Sequence, residues 1–160
     1  MRDTATEIYS AFFDVLNGNV TYNGSTIPVY TGMPNNTKGD YIFLEELTQV
    51  DWEGADNFGF EETLTIQIVV REKGGSQSRV KLNNLSNQVM QLIKPTVNTE
   101  ITLTNFSMTG LHLDNSFTDN LLGNTDYYQR KIQTYRYFVS EIQITTGIGA
   151  MIIEDTFIVG

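Results

Sequence analysis

Glu61-Glu62-Thr63-Leu64-Thr65-Ile66-Gln67-Ile68-Val69-Val70-Arg71 is the stretch on which the fold turns. Leu64, Ile66, Ile68 and Val70 alternate with Thr65, Gln67 and Val69. That alternation puts one apolar row on one face of a strand. Lys73-Gly74-Gly75 then turns the chain, and from about Ser76 to Lys94 the spacing changes. Leu82, Leu85, Val89, Leu92 and Ile93 recur at helical intervals, and Pro95 closes the segment. A one-faced strand followed at once by an amphipathic helix is the unit of a sheet with helices laid on it.

Upstream, Ile8, Phe12, Val15 and Leu16 form one face of a helix over Thr4 to Asn17. Thr4 and Glu7 match a capping box, and Gly18 is a stop. Val20 to Tyr22 and Thr26 to Tyr30 read as short β-pieces joined by Asn23-Gly24, the dipeptide of a type I′ hairpin. Thr31 to Asp40 is a loop and Tyr41 to Val50 a strand. Asp51 to Phe60 reads as an acidic loop that carries Trp52, Phe58 and Phe60. Downstream, Glu100 to Leu111 is strand-like, with its alternation slipping near Asn105. Residues 112–126 read as a loop or long hairpin tip, and Tyr127 to Ile144 as a long strand.

The expected fold class is α+β: a single antiparallel β-sheet, two amphipathic helices packed on one face, a long β-hairpin and an extended C-terminal tail. One domain is expected over residues 1–160, with its core at about 4–144 and the tail at 145–160 docking on a neighbour.

Composition narrows the function classes. The net charge is -9, which leaves little Lys and Arg for a phosphate-binding surface and argues against nucleic-acid recognition. No apolar run approaches the roughly 20 residues of a membrane span, and the N-terminal stretch is not of signal-peptide type. Cysteine is absent, so disulfides, thiolate metal sites and cysteine nucleophiles are excluded. The charge is segregated along the chain. Asp40 to Glu62 contains acidic residues and no basic one, whereas Arg71, Lys73, Arg79, Lys81 and Lys94 follow with Glu72 alone against them.

No constellation of catalytic type stands out. His112 is the only histidine, and no Gly-x-Ser-x-Gly elbow accompanies it. Asp51, Glu53 and Glu62 fit the first, third and last ligand positions of a calcium loop. Ala55 and Asp56, however, occupy the positions that need an oxygen ligand and a glycine. The pairs Glu45/Glu46 and Glu61/Glu62 are neighbours on strands and point to opposite faces, so neither pair can flank one substrate bond. Gly74-Gly75 lacks the Lys-Ser/Thr of a phosphate loop. More informative are aromatic residues in polar settings: Trp52, Phe58 and Phe60 in the acidic segment, and Tyr127, Tyr128, Tyr135 and Tyr137 on the last strand. That mixture suits a protein interface as well as a core. Asp51, Trp52, Glu53, Asp56, Phe58 and Phe60 on one side, and Arg79 and Lys81 on the other, are therefore expected at a subunit or partner interface.

Three segments in order carry a family resemblance. They are Phe12-Phe13-Asp14-Val15-Leu16, then Ile27-Pro28-Val29-Tyr30-Thr31-Gly32-Met33-Pro34, then Tyr41-Ile42-Phe43-Leu44. With the strand Thr63 to Arg71 and the helix around Asn84 to Ile93, the chain over about 8–94 resembles the tail-completion and tail-terminator proteins of tailed bacteriophages. The 112–126 segment and the tail from Thr145 look longer than the family pattern, which suits a collar or ring role. The resemblance implies a homo-oligomeric ring at the head-tail junction, around the DNA channel. Its partners would be itself and other virion proteins of the portal, connector or tail. It also implies a place in the virion tail or neck after assembly in the host cytoplasm, with no cofactor and no catalytic residues. The alternative expectation is a small non-catalytic binding module.

Overall fold

The computed structural model describes residues 3–35, 37–53, 58–72, 79–122 and 127–142. Helix α1 (Ala5–Leu16) comes first, followed by a hairpin of β1 (Thr21–Tyr22) and β2 (Ser25–Thr26). Strands β3 (Val29–Tyr30), β4 (Tyr41–Glu53) and β5 (Phe58–Glu72) precede helix α2 (Val80–Ile93). The long strands β6 (Phe106–Leu122) and β7 (Tyr127–Glu141) complete the order. A small two-stranded sheet, β1-β2, stands beside a five-stranded one in the order β3-β4-β5-β7-β6.

The α+β class stands, but the single antiparallel sheet does not. Val29 and Tyr30 pair in parallel with Ile42 and Phe43, so the larger sheet is mixed. The reason is the connection. Thr31 to Asp40 returns the chain to the end from which β3 started, and Ile42 N–H then donates to the Pro28 carbonyl at 2.9 Å. Two strands joined by such a return run the same way. The Asn23-Gly24 turn is as the sequence predicts, with φ of 48° and 78°.

The expected acidic loop is strand in its described residues, and of the two readings of 112–126, loop or long hairpin tip, the hairpin is the one found. The segment Asp51 to Phe60 is mostly hairpin: β4 runs on through Glu53, and β5 already starts at Phe58. Residues 112–122 are likewise the second half of β6, paired from His112↔Arg136 to Leu122↔Tyr127. Their polar composition reflects a strand with solvent on both faces, which composition alone does not distinguish from a loop. The slip in this strand is real but lies further on, at Thr109/His112 and Leu113/Asn115, where Gly110 takes φ of +69°. The expected tail at 145–160 lies outside the described residues.

Strand β5 sits at the centre. Leu64, Ile66, Ile68 and Val70 are buried against Phe12 and Leu16 of α1 and Leu82, Leu85, Val89 and Ile93 of α2. Both helices therefore cover the same face. Ile42 and Leu44 of β4 and Tyr135, Tyr137 and Val139 of β7 extend this core sideways. Phe12 packs tilted against Tyr137 and Tyr135, at ring separations of 5.8 and 6.5 Å.

The expected capping box does not form. Thr4 is the α1 N-cap, yet its hydroxyl donates to Glu62 of β5, and Gln49 of β4 donates to both. Glu7 instead bonds the backbone N–H groups of Thr104 and Asn105, which ties α1 to the approach of β6. A carboxylate at a helix N-terminus is favoured by the helix dipole. Burial nevertheless dominates at Glu62 and raises its pKa, with the Thr4 and Gln49 hydrogen bonds opposing.

A native pKa above the unfolded value means that the folded state holds this proton more tightly. The associated stability is present below the ordinary Glu value of about 4.3 and is lost as pH rises through the native value. Glu62→Gln keeps an acceptor and removes the buried charge. We expect it to be neutral to about 1 kcal/mol stabilising at pH 7, and to lose that advantage on acidification. Urea unfolding of both proteins at pH 4 and pH 7 checks this, and a loss of stability at pH 7 contradicts it.

Candidate interaction surface

The helices leave the other face of the sheet open. That face is laced across the strands at three levels. Arg136 of β7 reaches Glu61 of β5 at 2.9 Å and Asp114 of β6 at 3.3 Å. Further along β7, Arg130 reaches Asp119 of β6 at 2.6 Å and Gln67 of β5 at 3.3 Å. The Arg130 guanidinium beside Asp119 holds that carboxyl below the usual range. At the third level, Trp52 of β4 packs on Phe138 of β7 at a ring separation of 5.8 Å.

Trp52 reaches Phe138 across the intervening β5, and Gly59 makes that possible. Gly59 pairs with Trp52 on one side and Ser140 on the other. A Cβ there would stand 2.5 Å from the Val139 carbonyl oxygen, so β5 and β7 approach too closely for any side chain. Phe138 also covers Gly110 of the β6 bulge, whose added Cβ would lie 3.3 Å from its ring.

The strands also sort charge along their length. β4 ends and β5 begins at the Trp52 end, with Asp51 on β4, Glu61 on β5 beside Arg136, and Glu141 at the end of β7. β5 ends and β7 begins at the opposite end, with Arg71, Arg130 and Lys131, near Lys38 and the start of α2. Basic residues thus predominate at the Arg71 end, although Asp40 and Glu72 of the acidic and basic stretches also lie there.

Each expected interface residue can now be placed. Asp51 and Trp52 are exposed at the end of β4, Trp52 by 45%. Phe60 is half-buried on β5, on the helix-covered side. Glu53 and Phe58 are the last paired residues of the hairpin, and Asp56 lies outside the described residues. Arg79 is exposed at the α2 N-cap. Lys81 forms an ion pair with Asp40 of its own chain and sits 5.2 Å over the Tyr22 ring, so part of the sequence's charge complementarity is satisfied internally. The arginine rungs were missed. The signal existed in the sequence, because Asp119 and Arg130 fall opposite one another once 112–122 is read as a strand returning into Tyr127.

Other chemistries find little support in the geometry. His112 lies on the open face with Nδ1 2.7 Å from the Gly110 carbonyl oxygen of its own bulge. The calcium-loop reading meets a hairpin whose last carboxylate, Glu62, points into the core. Among the described residues no cluster of three or more His, Asp or Glu is placed to hold a metal. No described helix is long and apolar enough to cross a membrane.

No protein-family model matches the chain, and no curated protein sequence matches it. Among solved structures, a chain from the virion of a native gene transfer agent particle is similar in fold, with a TM-score of 0.64. The likeness covers 88% of this chain and 99% of that one at 13% identity, so what it shows is a shared fold.

Gly59→Ala should push β5 away from β7 and cost about 2–3 kcal/mol in urea unfolding. Since Trp52 is the only tryptophan, its fluorescence reports this level of the sheet alone. Acrylamide quenching of Trp52 should rise in Gly59→Ala and in Phe138→Ala; unchanged quenching in both would show that the two rings do not shield one another.

Proposed function

We propose that this chain is a structural subunit of a tailed-phage-like particle, a homo-oligomeric ring at the head-tail junction or tail and not an enzyme. The observation that carries this reading is the fold shared with a gene transfer agent virion chain along nearly the whole of both chains. The order-of-elements resemblance to tail-completion and tail-terminator proteins points the same way. The place of action that follows is the virion neck or tail, with portal, connector or tail proteins as neighbours around the DNA channel.

The charge distribution fits a subunit with two different neighbours along the particle axis. A ring whose subunits share one orientation presents an acidic rim at the Trp52 end and a basic rim at the Arg71 end. Opposite rims discriminate between partners by potential, steering each to its own side. Asp51, Trp52, Glu53, Asp56, Phe58 and Phe60 then belong to one partner contact and Arg79 to the other. Lys81, tied to Asp40, braces the basic rim from within.

The test is the native mass by light scattering behind a sizing column, with and without a chelator. A single species of roughly six to twelve subunits, unchanged by chelator, is expected. The mass should also survive about 1 M salt and the Arg79→Glu substitution, because charge at the rims does not hold the subunits of one ring together. Loss of mass in salt would instead assign the charged ends to contacts between copies. A monomer at every concentration would count against the ring.

A further inference from the structure

Three of the large apolar side chains left exposed, Met33, Val97 and Leu113, lie on the two flanks of the domain, at the outer edges of the sheet. On the β6 flank, Met90, Lys94, Pro95, Val97, Leu113 and Tyr135 line a groove of about 390 Å³ between the end of α2 and β6. Its lip is apolar and open, with Val97 85% and Leu113 38% exposed. On the β3 flank, Tyr9, Phe13 and Thr31 line a groove of similar size beside α1. Two residues beyond Thr31, Met33 stands 74% exposed. Both features belong to the helix-covered side of the sheet, on its opposite edges.

One charged residue on each flank is of opposite sign to that on the other. Lys94 lines the β6-flank groove, its ammonium donating to the Leu111 carbonyl. On the β3 flank Glu45 is exposed next to Tyr9, whose hydroxyl donates to the Glu45 carbonyl at 3.3 Å. Glu45 also marks the bulge of β4, and β3 pairs only with Ile42 and Phe43, so no described strand covers β4 beyond that point.

We propose that the β6-flank groove is the socket for the β3 flank of a second copy of this chain, with Met33 seated against Val97 and Leu113 and Glu45 facing Lys94. A flexible thioether fills an irregular apolar groove well. The two patches differ and lie on opposite flanks, so the contact is heterologous and repeats from copy to copy until it closes. This rests on the ring reading and gives it a specific seam. It leaves the charged ends free for other partners.

The chain has no cysteine, so thiols can be placed at will. The flanks are separated by the width of five strands, about 19 Å at the usual strand spacing. A maleimide cross-linker shorter than that width therefore joins positions 33 and 97 only between copies. The Met33→Cys/Val97→Cys double variant should give a ladder of multimers. Met33→Cys mixed with Val97→Cys should stop at dimers, and neither single variant alone should cross-link.

Cross-linked dimers from one single variant would overturn the heterologous seam. A preparation with the mass of a ring but no ladder from the double variant would overturn the seam and leave the ring standing. Monomers by scattering, with no ladder at any concentration, would remove both. As a second readout, Leu113→Arg in the double-variant background should reduce the ladder at least tenfold. An undiminished ladder would overturn the groove as the socket.

Discussion

Everything in this domain depends on the burial of one row of side chains, Leu64, Ile66, Ile68 and Val70 of β5. A strand has a period of two, so a slip by one residue would turn this row to the open face and bring Thr65 and Gln67 under the helices. The row thereby fixes the pairing of β5 with β4 on one side and β7 on the other. Those pairings in turn decide which of Arg130, Arg136 and Trp52 face outward and which of Gln133, Tyr135 and Tyr137 face the core. Gln133 shows how strictly the inner side is held. It is fully buried, and its amide donates to Ser86 of α2 at 2.8 Å while its carbonyl accepts from Tyr135 at 3.0 Å. A buried amide satisfied in this way locks one helix to one strand at one height.

Legibility in the sequence followed the strength of periodicity. The β5 row and the apolar stripes of both helices were readable because each strand or helix buries one face and solvates the other. Asn23-Gly24 was readable because few residues tolerate the two positive φ angles of its turn. Strand structure away from the helices was legible at 112–126 only as one of two readings, loop or hairpin. In β6 from His112 onward, both faces meet solvent and the residues are polar on each, so no period appears. Trp52 and Asp51 looked like loop residues for the same reason. The parallel pairing of β3 was hidden because two residues carry no direction in their composition; only the path of Thr31 to Asp40 sets it.

The capping box is a different kind of failure. Thr4 and Glu7 have the right types and spacing, yet both side chains were claimed by partners distant in sequence, Glu62 and the Thr104–Asn105 backbone. A local motif competes with every tertiary partner the fold brings close. Here the competition ends with α1 bonded through its first turn to β4, β5 and the approach to β6. Those bonds hold the helix over the sheet more firmly than a self-contained cap could.

The open face carries the remaining argument. Its two arginines are each flanked by acceptors on both neighbouring strands, although the Nε of each is left without a hydrogen-bond partner. Half-exposed pairs of this kind contribute little to stability, and they make a poor partner surface. To bury the face, a partner would have to strip water from charges that are already paired within the molecule. Contacts that hold an assembly together are then left to the parts of the surface that are not self-satisfied. These include the apolar flanks with Met33 and Val97. Association sideways, through those flanks, is what the proposed ring would use.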